Sequence, residues 1–231
     1  MARKVLVTGG SGGIGRVVAA RFSRAGDEVV ITGRDGDRLA ATAAAIDAEP
    51  IVCDAADPAQ VQKLADAVGE LDIVVNMAGG NTDFGRPPAS GLAGVAAAWR
   101  ANLDANLLSA VLTTTAVLDR LRPGGTVINV GSIGAEYAGS GYGAAKAALH
   151  AWTAGLSAAI GPRGLTANLV SPGYIEDTDF FHGRLTEQRR ETLVGATHTG
   201  RAGNPDDIAA TVEFLASQGA RHITGQTVQL P

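Results

Sequence analysis

Short apolar runs alternate along this chain with segments whose apolar residues recur every three or four positions. The first run, at 5–7, precedes a segment in which Ile14, Val17, Val18 and Phe22 share one helical face. The alternation then repeats to the end of the sequence. It predicts strands at 28–32, 50–53, 71–75, 126–130, 165–170 and 226–230, and helices at 14–25, 34–48, 58–68, 95–121, 140–160 and 205–217. Such alternation is typical of a parallel sheet covered by helices on both faces.

A glycine-rich segment, TGGSGGIG at 8–15, joins the first predicted strand to the first predicted helix. Glycine at such a turn lets the backbone approach a pyrophosphate, and the helix N-terminus adds free N–H groups. A flexible turn is the alternative, but the order strand, turn, helix, strand favours a dinucleotide site. We therefore expect an α/β fold: a single doubly wound Rossmann-type domain spanning 1–231, with a central parallel sheet of about seven strands flanked by helices on both faces.

One irregular stretch, at about 174–204, is long for a connection between elements. Connections of that length often serve as substrate lids, so we predict a lid there, with a helical piece near 186–194.

Composition and charge exclude several classes of protein. The net charge is −4 and no basic cluster exceeds two residues, so no nucleic-acid partner is expected. Cys53 is the only cysteine, which predicts neither a disulfide framework nor a metal site. No apolar run approaches a membrane span, and the run after residue 4 is too short for a signal-peptide core. We expect a soluble, cytoplasmic protein with no membrane partner.

The glycine spacing T-G-x-x-x-G-x-G and the Y-x-x-x-K pattern at Tyr142 and Lys146 resemble the short-chain dehydrogenase/reductase family. Within that family the sequence is most similar to 3-oxoacyl-carrier-protein-reductase-like members, and matching motifs follow in order along nearly the whole chain. The resemblance implies a catalytic set of Asn106, Ser132, Tyr142 and Lys146. It implies cofactor contacts from Gly9, Ser11, Gly13, Ile14, Gly15, Arg34, Asp54, Ala55, Asn76, Ala78, Gly79, Tyr142, Lys146, Pro172, Gly173, Ile175 and Thr178.

Carbonyl reduction needs a hydride and a proton, and these residue types can supply the proton. Tyr142 and Lys146 are four apart on a predicted helix and so share a face. Because a neighbouring ammonium favours the phenolate, we expect Lys146 to lower the pKa of Tyr142 and to reach the nicotinamide ribose. Ser132 is expected to hydrogen-bond the substrate oxygen. The resemblance implies that Asn106 distorts its helix and holds a water that relays protons.

The end of the second strand bears on the choice of nicotinamide cofactor. NAD-selective enzymes carry an acid there, whereas by the resemblance Gly33 takes that position and Arg34 follows it. An arginine can bind a 2′-phosphate bidentately. We predict NADP(H) over NAD(H), although Gly12 stands where many NADP-dependent relatives carry a second basic residue. A solvated loop charge is the alternative for Arg34.

Two departures from the family pattern concern the site. Met77 replaces the second Asn of the family's N-N-A-G segment, so one polar contact is lost or replaced. Ser132 and Tyr142 are ten residues apart, where the family more often has about thirteen. The short loop between them predicts a trimmed substrate cleft, which Tyr137 is expected to line.

The favoured function is NADPH-dependent reduction of a ketone or 3-oxoacyl substrate, with Tyr142 as proton donor. Alternatives are an NAD(P)-dependent alcohol dehydrogenase working oxidatively, a dinucleotide-sensing protein, and a lyase or isomerase on the same scaffold. The expected partner is a small carbonyl or alcohol, free or linked to CoA or a carrier protein. Arg120, Arg122 and Arg163 are candidates for docking a carrier, with solvated charges as the alternative. By resemblance alone, a homodimer or homotetramer is expected.

Overall fold

A seven-stranded sheet forms the centre of the protein, which a computed structural model describes for residues 2–84, 89–137, 139–181 and 183–231. All pairings between neighbouring strands are parallel, and the strand order is 3-2-1-4-5-6-7. The strands are β1 (Lys4–Thr8), β2 (Glu28–Gly33), β3 (Glu49–Val52), β4 (Leu71–Asn76), β5 (Leu121–Val130), β6 (Thr166–Pro172) and β7 (Thr227–Leu230). The α-helices are α1 (Gly13–Arg24), α2 (Gly36–Ile46), α3 (Pro58–Val68), α4 (Gly91–Leu103), α5 (Ser109–Val117), α6 (Gly141–Ile160), α7 (Glu187–Gly195) and α8 (Pro205–Leu215).

Apolar side chains cover both faces of the sheet. On β1, Val5 and Val7 pack in one cluster with Phe22 of α1, Leu39 of α2 and Ile208 of α8. The residue between them, Leu6, points to the other face and packs with α3, α5 and α6. Strand residues alternate between faces, which is why one run of three apolar residues serves two cores. Burying each such side chain contributes roughly 1.5–3 kcal/mol, and the two layers confirm the doubly wound fold.

The predicted helix at 95–121 is interrupted, which is the main difference from the sequence-based assignment. α4 ends at Leu103, a π-helical turn spans Asp104–Leu108, and α5 follows to Val117. Asn106 lies in the π-helical turn, so the expected distortion of its helix is confirmed. The strand predicted at 126–130 also begins earlier, because Leu121 pairs with Leu71 before a register shift in the β4–β5 ladder.

The order of the strands reverses between β1 and β4, and a crevice opens beyond the carboxyl ends of both strands. Two turns meet there. The Thr8 hydroxyl oxygen accepts hydrogen bonds from the backbone N–H groups of Met77 and Ala78, each at 3.1 Å. Gly9 has φ +67°, and a Cβ on it would lie 2.9 Å from the Ala78 backbone. The glycine-rich turn is therefore held directly against the turn after β4.

The predicted lid at 174–204 starts and ends at one point beside β6. Gly203 N–H donates to the Tyr174 carbonyl at 2.9 Å, and Glu176 N–H donates to the Gly203 carbonyl at 3.0 Å. The predicted helical piece corresponds to α7, and residue 182 lies outside the described residues. Throughout the described ranges, no helix combines the length and apolar character needed to cross a membrane.

Thr8→Val removes the hydroxyl acceptor with little change of shape, so we expect it to destabilise the fold. Thr8 is 1% exposed, and the substitution leaves two N–H groups without their partner. An unsatisfied buried donor costs about 1–3 kcal/mol, and urea unfolding should show a loss of that order. Thr8→Ser keeps the acceptor and should recover most of the loss.

Thr192→Val is the matched control, because its hydroxyl bonds only a carbonyl within exposed α7. Its effect should stay within about 0.5 kcal/mol. Equal effects of the two valine substitutions would contradict the role of Thr8.

Candidate active site

A cavity of about 300 Å³ opens in front of the glycine-rich turn. Gly13, the first residue of α1, has φ +51° and open space where a side chain would stand. Gly15 lies so close to Gly9 that a Cβ would meet its carbonyl oxygen at 2.3 Å. These backbones and the N-terminus of α1 form a cradle for a pyrophosphate. The cavity is lined by Ser11, Gly12, Gly13, Arg16, Arg38, Thr42, Asp177 and Asp179.

Arg16 and Arg38 are basic residues at this cavity that sequence reasoning missed, and Arg38 has the contacts that fix its position. Its Nε donates to the Ser11 carbonyl at 3.1 Å, and Nη2 pairs with the Asp179 carboxylate of the lid at 2.8 Å. A Cβ on Gly12 would lie 2.0 Å from Nη2, so the guanidinium lies over the glycine turn. The available signal was Asp35, whose side chain accepts the Arg38 N–H and fixes the first turn of α2.

Arg34, the arginine chosen from the sequence, is exposed in the loop after β2. Its side chain makes no hydrogen bond or ion pair within the described ranges, and it does not line the cavity described above. Its contact with a 2′-phosphate stays a prediction. The structure therefore adds two cations, Arg16 and Arg38, that already face the glycine turn.

Asn76, at the end of β4, ties the sheet together instead of facing the cleft with its amide. Its Nδ2 donates to Thr114 Oγ1 and to Asn129 Oδ1, both at 2.8 Å, and the residue is 3% exposed. The predicted contact of Asn76 with the cofactor stays a prediction. The next residue, Met77, packs apolar surface against α1, where a Cβ on Gly15 would lie 3.2 Å from Met77 Cγ. Packing thus replaces the polar contact of the family's asparagine.

Asn106 holds the turn that follows β4. Its Nδ2 donates to the Gly80 carbonyl, its Oδ1 accepts the Gly80 N–H, and both distances are 2.9 Å. The approach is so close that a Cβ on Gly79 would lie 2.7 Å from Oδ1. The side-chain amide of Asn106 therefore positions Ala78, Gly79 and Gly80, and the water relay that the resemblance implies stays a prediction.

Tyr142 and Lys146 lie in the first turns of α6, beside the end of β5. The Ser140 hydroxyl caps this helix by accepting the Gly143 N–H. The ammonium of Lys146 is buried, donates to the Val130 carbonyl at 2.8 Å, and lies 5.9 Å from the centre of the Tyr142 ring. A Cβ on Gly134 would touch both Ser132 Oγ, at 3.3 Å, and Tyr142 Cε1, at 3.6 Å. The short loop therefore brings Ser132, Tyr142 and Lys146 together.

Burial controls the acidity of this pair. Burial raises the pKa of Tyr142, and the Ser132 hydroxyl, as a hydrogen-bond partner, opposes the rise only in part. Burial lowers the pKa of Lys146 to about 8. The expectation that the ammonium lowers the pKa of Tyr142 is not borne out in this structure, where burial raises that pKa.

The remaining predicted contacts lie at strand ends around the same crevice. Asp54 and Ala55 follow β3, and one Asp54 carboxylate oxygen accepts the Ala56 N–H at 3.0 Å. Pro172 ends β6, and Gly173 N–H donates to the Leu230 carbonyl at 2.8 Å. Three side chains have local packing or hydrogen-bonding roles: Ile14 and Ile175 pack against the core, and Thr178 donates to the Ile175 carbonyl, while Ile175 and Thr178 also line a cavity of about 230 Å³. Their contacts with the cofactor stay predictions.

Phenylalanine rings pack beside Tyr142. The ring centre of Phe180 lies 5.8 Å from that of Tyr142, and Phe84 and Phe181 lie 5.6 and 5.1 Å from Phe180. Tyr137, expected to line the cleft, is instead 76% exposed. The cleft in front of Tyr142 is therefore apolar and is bounded by phenylalanines.

The three arginines considered for carrier docking lie at the amino ends of the strands, opposite the crevice at their carboxyl ends. Arg120 and Arg122 flank the start of β5, and Arg163 precedes β6. Each pairs with carboxylates: Arg120 with Asp66, Arg122 with Glu70 and Asp72, and Arg163 with Asp119. Amino ends of parallel strands lie far from the carboxyl-end crevice, so these charges do not border the site.

Comparison with known proteins supports an oxidoreductase. The sequence matches the family described as enoyl-(acyl carrier protein) reductase over residues 9–230. It is 36% identical to an oxidoreductase of Mycobacterium tuberculosis, with 98% of this chain and 96% of that protein covered. It is 34% identical to the 3-oxoacyl-[acyl-carrier-protein] reductase of Pseudomonas aeruginosa, with 96% and 93% covered.

Among solved structures, a blue fluorescent protein from a metagenomic library in complex with NADPH superimposes with a TM-score of 0.85. The two chains are 31% identical, and the match covers 99% of this chain and 96% of that one. The sheet and its helices therefore match a fold that binds a dinucleotide in a solved structure.

Proposed function

The chain belongs to the short-chain dehydrogenase/reductase family, and we propose that it reduces a ketone or 3-oxoacyl substrate with NADPH, using Tyr142 as the proton donor. The observation that carries this proposal is the meeting of Tyr142, Lys146 and Ser132 at the crevice that also holds the glycine cradle. A sensor of dinucleotides has no need for a buried ammonium 5.9 Å from a tyrosine ring.

The residues at the crevice fit a nicotinamide dinucleotide. The cradle leaves open space at Gly13, and two cations, Arg16 and Arg38, face the cavity of about 300 Å³ in front of it. Those groups would hold the phosphates, and the turns after β4 and β6 would hold the nicotinamide half. When bound, NADPH supplies the hydride that adds to the carbonyl carbon.

The side chains supply the proton and hold the carbonyl. The Ser132 hydroxyl donates a hydrogen bond to the carbonyl oxygen, and the Tyr142 O–H transfers its proton to that oxygen as negative charge develops. The carbonyl group therefore gains one hydride and one proton to become the alcohol, and the phenol regains its proton from solvent. The ammonium of Lys146 stabilises the phenolate while the proton is missing.

The acidity of Tyr142 suits the role of a proton donor. Oxidation of an alcohol needs the phenolate of Tyr142 as a base, whereas burial raises the pKa of Tyr142 and keeps the phenol protonated at neutral pH. A protonated phenol is the form that a reductase needs.

A preference for NADP(H) over NAD(H) is supported by charge. Asp179 is the acid that now pairs with Arg38, and its side chain is 75% exposed. A phosphate carries more charge than a carboxylate and presents more acceptor oxygens. We infer that a 2′-phosphate replaces Asp179 as the ion-pair partner of Arg38.

Tyr142→Phe should abolish most of the reduction, because the ring stays and only the transferable proton is lost. We expect kcat to fall by roughly 10²–10⁴-fold while the affinity for NADPH changes little. The measurement follows NADPH absorbance with a panel of ketones and 3-oxoacyl thioesters, and NADPH binding by fluorescence.

Tyr137→Phe is the control for this substitution, since Tyr137 is 76% exposed. It should match the wild type. Turnover by Tyr142→Phe at the wild-type rate would exclude Tyr142 as the donor.

The rate of reduction should depend on pH through Lys146. Burial raises the pKa of Tyr142 but lowers that of Lys146 to about 8, so Lys146 loses its proton first as the pH rises. We expect kcat/KM for the ketone to fall as the pH rises through about 8. In Lys146→Arg the guanidinium stays charged to a pH above about 12, so the fall should move to higher pH. The same profile in both proteins would exclude Lys146 as the titrating group.

Arg38→Ala should weaken NADPH binding selectively. A lost charge-assisted hydrogen bond costs about 1.5–3 kcal/mol, so the Kd for NADPH should rise at least tenfold while that for NADH hardly changes. Arg34→Asp tests the assignment made from the sequence in the same titration. Arg24→Ala, an exposed position in the last turn of α1, is the control. Unchanged NADPH affinity in both test variants would refute the preference for NADP(H).

A further inference from the structure

We propose that the substrate is a neutral ketone with an aromatic ring near its carbonyl, and that Phe180 is the residue that selects this ring. The inference rests on the proposed ketone reduction and names the class of ketone. Its starting point is a group of rings, Phe84, Phe180, Phe181, Tyr142 and Tyr174, which we call the aromatic wall.

The aromatic wall brings together residues of a type that is scarce in this sequence. Aromatic residues make up 4% of the chain, which has five phenylalanines and three tyrosines. Three of those phenylalanines and two of those tyrosines belong to the wall. The wall draws on three separate segments: the loop after β4, the start of α6 and the lid. Packing of the domain does not require this, because both main cores consist largely of aliphatic side chains.

Phe180 occupies the centre of the wall. It meets Phe84 and Phe181 edge to face, at interplanar angles of 85° and 88°, and meets Tyr142 at 56°. The wall therefore presents ring faces and edges beside the phenol that donates the proton. A substrate ring held there gains edge-to-face contacts that an aliphatic group of the same size lacks. The advantage expected from one such ring pair is roughly 2- to 10-fold in kcat/KM.

Gly134 lies beside Tyr142 on the loop that leads from Ser132. A Cβ on Gly134 would lie 3.3 Å from Ser132 Oγ and 3.6 Å from Tyr142 Cε1. The missing side chain at Gly134 therefore keeps the loop from adding bulk against the phenol, and we place the substrate ring on the Phe180 side of Tyr142.

The charges near the wall argue against an anionic substrate. A cavity of about 230 Å³ adjoins Tyr174 and Phe181, and its described lining residues include Glu176 and Asp177 but no basic residue. Within the lid, Arg190 is held by Glu187 through three contacts between 2.6 and 3.0 Å. The arginines considered for carrier docking are paired with carboxylates at the other edge of the sheet. The described residues that line this cavity therefore disfavour phosphate groups of CoA or of a carrier there.

The test compares benzylacetone with its cyclohexyl analogue and with an acetoacetyl thioester of N-acetylcysteamine. The two ketones carry the ring on the same saturated linker, so the reactivity of the carbonyl is matched and only ring character differs. We expect the wild type to prefer benzylacetone over the analogue by roughly 2- to 10-fold in kcat/KM, and over the thioester as well. Phe180→Leu keeps apolar volume without a ring and should bring the preference between the ketones close to one.

Phe84→Leu, in a separate segment, removes a ring that contacts Phe180 and should reduce the preference in part. Phe214→Leu is the matched control, since Phe214 lies on α8 with 51% exposure, and it should keep the wild-type ratio. Circular dichroism and the NADPH Kd verify that each variant is folded.

The outcomes separate the inference from the function beneath it. Reduction of both ketones at equal efficiency, a better thioester, or an unchanged ratio in Phe180→Leu would overturn the aromatic preference and leave carbonyl reduction standing. Failure of the folded, NADPH-binding wild type to reduce any of the three compounds would overturn both.

Discussion

The whole site depends on the close contact between the turns that follow β1 and β4. Thr8 accepts two backbone N–H groups of the second turn, and Gly9 approaches Ala78 so closely that no side chain fits between them. Asn106 then holds Gly80 from the other side with a donor and an acceptor. β1 and β4 are neighbours only because the strand order reverses between them. These contacts tie the turns after the two strands together, and the cavity for a dinucleotide opens along those turns.

The catalytic chemistry follows from the position of α6 against that edge. The helix begins beside the end of β5, so a tyrosine in its first turn is at the crevice while a lysine one turn later is beneath it. Both side chains are largely buried there. Both groups are therefore pushed towards their neutral forms, the phenol to a higher pKa and the amine to about 8. The neutral phenol can donate a proton. The amine, whose pKa is near neutral, can take part in returning a proton to it near neutral pH.

The sequence was sufficient for the fold and for the residues that share a helix or end a strand. Hydrophobic periodicity predicted all seven strands, and i, i+4 spacing placed Lys146 beneath Tyr142. Contacts between distant segments could not be predicted from the sequence. Arg38 faces the glycine turn only because Asp35 sets where α2 begins, and the sequence alone favoured Arg34. The side-chain NH₂ group of Asn76 donates to partners 38 and 53 residues away. The raised pKa of Tyr142 follows from its burial in the folded protein, which no local sequence pattern reports.

Two neighbouring residues of the lid close the two ends of the cleft. Asp179 pairs with Arg38 at the phosphate end, and Phe180 packs on Tyr142 at the catalytic end. The Arg38–Asp179 ion pair is exposed, with side chains 51% and 75% accessible, and exposed ion pairs contribute about 0–1 kcal/mol to stability. Each aromatic contact contributes about 0.5–1.5 kcal/mol beyond its buried area, and Phe180 makes three. The apolar end therefore holds this segment of the lid more strongly than the charged end does. Competition for Arg38 can loosen one end of the segment, but only a group that replaces the ring contacts of Phe180 can release the other.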